Sequence, residues 1–161
     1  MEKHKQYEKF MLESNTIEGE KRLNPGDIAA VRCALALPKI GKEELCHLHI
    51  LLGEYLKKDW VGKFRTVNVH VGRFCPVDCR QLDLAMEAYF QEFPFLDSWE
   101  AHNKFEVIHP FQDLNGRVGR LIWLMKAIKE GYNFRLSFLR AYYYQTLYRY
   151  EMGKGLVTDK L

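Results

Sequence analysis

His109-Pro110-Phe111-Gln112-Asp113-Leu114-Asn115-Gly116-Arg117-Val118-Gly119-Arg120 gathers an imidazole, a carboxylate, an amide and two guanidinium groups into one short stretch. An apolar run, Leu121-Ile122-Trp123-Leu124-Met125, follows at once and continues with Ile128 as far as Gly131. That run predicts a buried helix closed by a glycine C-cap. The polar residues then stand at a helix start, where unpaired backbone N–H groups and the helix dipole favour an anion. Arg117 and Arg120 are three apart, so both project from one side of the first turn. Asp113, just ahead of that turn, is placed to reach a divalent cation bridging phosphate oxygens. Pro110 ends the preceding helix and fixes the approach of His109. The plain reading is a phosphate-and-metal site with a histidine base beside it. The bland alternative is a capped and solvated helix start, which would suit any one of these residues alone.

The stretch resembles the signature of the Fic family, His-x-Phe-x-(Asp/Glu)-Gly-Asn-Gly-Arg-x-x-Arg. His109, Phe111, Asp113, Asn115, Gly116, Arg117 and Arg120 match it, and Leu114 stands where the family has glycine. What counts against a merely capped helix start is this resemblance of the whole set to a known signature. Glycine there supplies either a positive φ or room for a phosphate. The expectation is that only room is needed, so that the Leu114 side chain turns away and its N–H still serves.

Working outward, Asp97-Ser98-Trp99-Glu100 is a capping box that starts a helix delivering His109 at its end. Before it, Pro76 opens a helix read over 77–93, with Leu82, Met86, Tyr89 and Phe93 inward. Residues 62–74 are bounded by glycines, and Val67, Val69 and Val71 alternate with Asn68 and His70 at strand period. A short hairpin in a helical chain leaves a backbone edge able to take up a partner's extended segment. The stretch resembles the Fic flap, which implies that Thr66, Val67, Asn68, Val69 and His70 register a target segment. The local alternative is a hairpin that only covers the core.

Further upstream, helices are read from Lys42 to Leu56 and from an Asn24 cap with Pro25 at its first position to Pro38. His47 and His49 lie two apart on the first of these, so they read as structural. The N-terminal segment, about 5–21, has Tyr7, Phe10, Ser14 and Ile17 at helical spacing. Taken locally it is an amphipathic helix ending at Gly19. Ser14-Asn15-Thr16-Ile17-Glu18-Gly19 also resembles the inhibitory motif of many Fic proteins, (Ser/Thr)-x-x-x-Glu-(Gly/Asn). That resemblance makes Ser14, Glu18 and Gly19 inhibitory residues, with Glu18 pairing with Arg120. A last helix is read over 136–151, rich in tyrosine, with a frayed tail after Gly153.

The 161 residues suffice for one domain with a real core, at 47% hydrophobic and 28% charged. A net charge of +3 without a basic run argues against nucleic acid as a partner. No apolar run approaches a membrane span, and no leader segment is evident, so a cytoplasmic location is expected. Cys33, Cys46, Cys75 and Cys79 fit no zinc or disulfide pattern and read as reduced thiols.

The resemblance implies a mainly α fold, a single Fic domain over 1–161 built as a bundle of short helices with one β-hairpin flap. It implies transfer of AMP from ATP to a Ser, Thr or Tyr hydroxyl of a target protein, releasing pyrophosphate. His109 would be the general base and Asp113 would hold Mg²⁺ or Mn²⁺. Leu114, Asn115, Gly116, Arg117 and Arg120 would bind the nucleotide phosphates. Two alternatives share the site: removal of AMP from a modified protein, and a module weakened by Leu114 that binds nucleotide or partners without catalysis. The sequence is silent on oligomeric state and leaves room for a homodimer.

Overall fold

The structure, a computed structural model, describes residues 2–131; the helix read over 136–151 and the tail after Gly153 lie outside the described residues. Six α-helices occur among the described residues: α1 (Glu2–Ile17), α2 (Asp27–Ala36), α3 (Lys42–Gly53), α4 (Leu82–Glu92), α5 (Ser98–Ile108) and α6 (Asn115–Lys129). The mainly α expectation holds.

The apolar run after the motif becomes the centre of the molecule. Leu121, Ile122 and Leu124 are fully buried and Trp123 and Met125 nearly so, as expected of a helix apolar on every side. α5 packs along α6 most extensively, and α1, α2 and α3 close over its other sides. One hydrophobic cluster runs from Phe10 on α1 to Ala127 on α6. Leu82, Met86, Tyr89 and Phe93 all face inward as the periodicity predicts. Gly131 takes φ +89 beyond α6.

Local chemistry shifts several boundaries. α2 begins at Asp27, not at Pro25. The Asn24 N–H donates to Asp27 Oδ2 at 2.8 Å and the Asp27 N–H to the Asn24 carbonyl at 3.2 Å, which turns Pro25-Gly26 into the bend. A side chain at Gly26 would strike the Leu51 carbonyl, so glycine is what lets α2 lie this close to α3. α3 ends at Gly53 and tightens into a 3₁₀ turn, Glu54–Leu56. The helix expected from Val77 begins at Leu82, after a 3₁₀ turn over Cys79–Gln81 that Asp78 caps through the Arg80 N–H. The Asp97 capping box is complete in both directions.

The hairpin is the clearest departure. Residues 62–74 form no strand, and their pairing is one isolated antiparallel bridge, Val71 to Phe74. Alternation does not supply a partner strand, an isolated two-stranded ribbon is marginal, and the alternating valines are not buried, Val67 being exposed and Val69 and Val71 half-buried. The segment is an irregular loop instead. All four cysteines are free thiols. Among the described residues no helix is long and apolar enough to cross a membrane.

Candidate active site

α5 ends by placing His109 in the left-handed region, φ 53 and ψ 62, and the backbone then turns through Pro110 into the motif loop. Nδ1 of His109 lies 3.2 Å from the Glu106 carbonyl. A carbonyl can only accept, so Nδ1 carries the hydrogen and Nε2 keeps the lone pair. Burial lowers the His109 pKa from 6.5, with the Glu106 carbonyl acting against it. The ring is therefore a neutral base near pH 7.

The motif loop is braced from several sides. Asn115 spends its amide on Phe111, Nδ2 donating to the carbonyl at 2.8 Å and Oδ1 accepting the N–H at 2.9 Å. Its side chain thereby shapes the loop, and the residue lines one cleft with His109. Phe111 is fully buried and stacks on His49, ring centroids 3.9 Å apart and planes 3° off parallel. His49 joins two loops: Nε2 donates to the Asp113 carbonyl at 3.1 Å, and Nδ1 accepts the Gly62 N–H at 2.8 Å. Burial pushes its pKa down to about 4, so it stays neutral in this role.

Leu114 departs from expectation. It has φ 65 and ψ 7, so this position does use the left-handed conformation, and a leucine occupies it. The strain of a non-glycine residue there is about 1–2 kcal/mol. Burial offsets it: the side chain is 3% exposed, beside Val61 and above Gly53, where an added Cβ would lie 2.8 Å from Leu114 Cδ1. Burying a leucine contributes about 1.5–3 kcal/mol. The Leu114 N–H is engaged by Asp113 Oδ1 at 2.6 Å, so it is not open to a phosphate.

His109, Asp113, Gly116, Arg117, Glu18 and the flap residue His70 line one cleft of about 290 Å³. Asp113 is exposed there, and its second carboxylate oxygen makes no hydrogen bond among the described residues. No group of three or more His, Cys, Asp or Glu able to hold a metal occurs among those residues. The arrangement fits Mg²⁺, which takes one or two carboxylates and completes its shell with water and substrate phosphate. Arg117 is buried, and its Nε and Nη1 have no hydrogen-bond partner among the described residues. An unsatisfied buried guanidinium facing a cleft at a helix start is suited to an anion.

Arg120 is fully buried and meets the end of α1. Nε donates to Ser14 Oγ at 2.7 Å, and Nη2 donates to the Ser14 carbonyl at 3.1 Å and to Glu18 Oε1 at 2.7 Å. Glu18 crosses over Gly116, where a Cβ would sit 2.5 Å from Glu18 Oε1. Gly19, at φ +85, turns the chain after it. Behind Ser14, Asn15 Nδ2 donates to Asp27 Oδ2 at 2.6 Å and to the Arg22 carbonyl at 2.9 Å, which anchors α1 to α2.

The flap residues lie near the cleft but are scarcely braced. Thr66 to His70 make no backbone–backbone hydrogen bond among the described residues, and Val67 is 50% exposed. Asn68 Oδ1 accepts the Cys79 N–H at 2.7 Å. Arg65, which the sequence reading passed over, holds the base of this loop. Its Nε donates to the His109 carbonyl at 2.7 Å, Nη2 to the Ile108 carbonyl at 3.2 Å and to the Val77 carbonyl, and Nη1 to the Val67 carbonyl at 3.0 Å. Nothing in the sequence around Arg65 signals that burial.

Comparison with known proteins identifies the fold and the family. A Fic domain containing signaling protein from Bacteroides thetaiotaomicron superposes with TM-score 0.73 at 18% identity, over 95% of this chain and 74% of that one. A Fic family protein from Desulfovibrio desulfuricans gives 0.72 at 21%, over 95% and 59%. At such identities the likeness shows the fold. Protein adenylyltransferase fic-1 of Caenorhabditis elegans is 35% identical over 80 residues, 44% of this chain but 16% of that protein. The Fic/DOC family model matches residues 39–125, which takes in the flap loop and the motif and leaves α1 outside. With more than half its length so matched, and the motif's imidazole and guanidinium groups around one cleft, this chain belongs to the Fic/DOC family.

Proposed function

We propose that this chain transfers AMP from ATP to a Ser, Thr or Tyr hydroxyl of a target protein and releases pyrophosphate. The observation that carries the reading is the pairing of a buried, unsatisfied guanidinium on Arg117 with a neutral imidazole on His109, both lining one cleft at the start of α6. A hydroxyl is a weak nucleophile at neutral pH, and Nε2 of His109 takes its proton during attack on the α-phosphorus. The fixed tautomer leaves that nitrogen as the acceptor. Arg117 and the N–H groups of the first turn of α6 hold the phosphates. Asp113 would hold Mg²⁺ or Mn²⁺, which supplies charge neutralisation on the pyrophosphate side.

The geometry around Arg120 supports a second element of the proposal, that the activity is restrained from within. Glu18 occupies a guanidinium N–H and the floor over Gly116, both of which an outer phosphate would otherwise use. Nucleotide can still enter, but with its α-phosphorus turned out of line, which acts on the positioning contribution to catalysis. The Glu18 side chain is 37% exposed while Arg120 is fully buried, so Glu18 is the partner that would leave on release. That same carboxylate, in one cleft with His109, also suits the orientation of a water for AMP removal.

ATP labelled at the α-phosphorus, added to lysate with Mg²⁺ or Mn²⁺, tests the reading. Label is expected on protein with Glu18→Gly, far less with the parent chain and none with Glu18→Gly/His109→Ala. No label with any of the three overturns AMP transfer. Equal label with parent and Glu18→Gly overturns the restraint alone. Label lost from a pre-modified target in the parent chain, and kept in Glu18→Gly, assigns removal instead.

A further inference from the structure

One buried carboxyl group in the cleft has no part in the chemistry above. Glu106 lies on the last turn of α5, lines the same cleft as His109, and has its Oε1 buried with no hydrogen-bond partner among the described residues. Its Oε2 is 3.7 Å from His109 Nδ1. The space it occupies is opened by Gly119 on α6, where any Cβ would collide with Glu106 Oε1 and lie 3.0 Å from His102 Nδ1. A glycine inside a helix costs about 0.5–1 kcal/mol relative to alanine; here its missing side chain makes the niche in which the carboxyl sits.

We propose that Glu106 is a positioning residue for His109, its carboxyl group beside Nδ1 setting how firmly the imidazole holds the proton taken from the target hydroxyl. The inference rests on the AMP-transfer reading and deepens it. In that step the hydroxyl oxygen forms a bond to the α-phosphorus. The bond from the α-phosphorus to pyrophosphate breaks, with its electron pair leaving on pyrophosphate. The hydroxyl proton passes to Nε2 of His109, which becomes an imidazolium with an N–H on each nitrogen. A carboxylate 3.7 Å from Nδ1 stabilises that cation, whereas a neutral carboxylic acid does so far less.

The surroundings decide which form is present. Facing Glu106 are Arg120 from α6, Glu18 beyond α1, Tyr89 from α4, and His102 and His109 on its own helix. Facing His109 are also Arg65 and Asp113. Burial pushes the Glu106 pKa up to about 8, Arg120 pulling it down and Glu18 adding to the rise. His109 titrates below 6.5, so it loses its proton first and Glu106 ionises on the alkaline side. Each event strengthens the base: the first frees Nε2, and the second places a negative charge beside Nδ1.

Two readouts test this. AMP transfer by the Glu18→Gly chain should rise twice with pH, once below 6.5 and again on the alkaline side, the second rise starting lower than about 8 because the Glu18 charge is gone. Glu106→Gln should keep the first rise and lose the second, and Glu106→Asp should restore a second rise. Independently of activity, the His109 ring C–H resonance, assigned by its loss in His109→Ala, should show an alkaline inflection in the parent chain and none in Glu106→Gln. If Glu106→Gln does not fold, the carboxyl ¹³C resonance of Glu106 in the parent chain takes its place, with an alkaline midpoint expected. A ring titration whose alkaline inflection survives Glu106→Gln, or a Glu106 carboxyl that titrates in the ordinary range near pH 4.5, overturns the assignment. The ring titration decides the Glu106 assignment by itself, so an absence of transfer would count only against the AMP-transfer reading.

Discussion

The motif loop and the flap loop are neighbours in one cleft, and they are held in opposite ways. In the first, Phe111 has both backbone groups tied to Asn115, the Asp113 carbonyl is taken by His49 and the His109 carbonyl by Arg65. In the second, the backbone groups from Thr66 to His70 make one hydrogen bond among the described residues, the Val67 carbonyl accepting from Arg65 Nη1 at 3.0 Å. A loop that must hold reacting groups to a fraction of an ångström gains from being over-determined. A loop that must take up the backbone of another chain keeps its N–H and C=O groups open, since those are what it has to offer. The contrast fits a rigid site for chemistry beside an adaptable one for recognition.

Arg65 is where the two meet, so removing it is the strongest way to break the contrast. Arg65→Ala leaves the carbonyls of Val67, Val77, Ile108 and His109 without their donor. A loss of about 3 kcal/mol is expected from unsatisfied buried acceptors, read as a fall in the urea midpoint. A change below about 0.5 kcal/mol, the range of an ordinary surface substitution, would mean that the flap is not coupled to His109.

His49→Ala acts on the motif loop alone, with an expected loss of about 2 kcal/mol. It also carries a pH signature. Its folded pKa of about 4 lies below the usual 6.5, so the unfolded chain binds the extra proton between those values. The stability it contributes is complete above 6.5 and is lost as pH falls toward 4. His102, pushed to about 3 by burial, acts in the same sense, and Glu106 against it. The urea midpoint should therefore rise from pH 5 to pH 6.5, and rise less in His49→Ala. An unchanged slope would remove His49 from the account.

Leu114→Gly sharpens the comparison by separating strain from packing inside the braced loop. It relieves about 1–2 kcal/mol of left-handed strain. Against that it forfeits about 2–5 kcal/mol of leucine packing and adds the flexibility of glycine. A net loss of about 1–2 kcal/mol is expected by thermal unfolding, and a more stable variant would show that the leucine packing is worth less than its strain.

The smallest stability effect is expected in the flap. Val67→Ala should change the unfolding free energy by less than about 0.5 kcal/mol. It should raise KM for a protein target while leaving KM for ATP in place. Equal shifts in both would mean that the flap shapes the nucleotide site instead of registering a target.

The legible parts of the sequence were those whose chemistry is local. Spacing placed His109, Asp113 and Arg117 around one helix start, and the capping box at Asp97 was readable to the residue. Illegible were the braces that cross the chain. His49 and Asp113 are 64 residues apart and Arg65 and His109 are 44, and no periodicity records a partner at that distance. The alternation at Val67, Val69 and Val71 misled for a related reason, since a strand needs a second strand that the pattern cannot show. Leu114 misled because the sequence offers positive φ and room for a phosphate as alternatives and does not choose between them. Ser14 and Glu18 are 106 and 102 residues from Arg120, and only the resemblance to a known motif suggested that they meet.

Gly116 gives the proposed restraint a directional character. The bare first turn of α6 is the floor on which Glu18 lies and, in the proposed reaction, the place a phosphate would take. A side chain added there would crowd Glu18 Oε1 and Arg120 Nη1 alike, so substitution at this floor is a blunt way to release Glu18. Control over the site has to be written on the other side, in how tightly α1 is tethered through Asn15 and Asp27. A signal that pries at that tether would reach the active site without touching a residue that performs the chemistry.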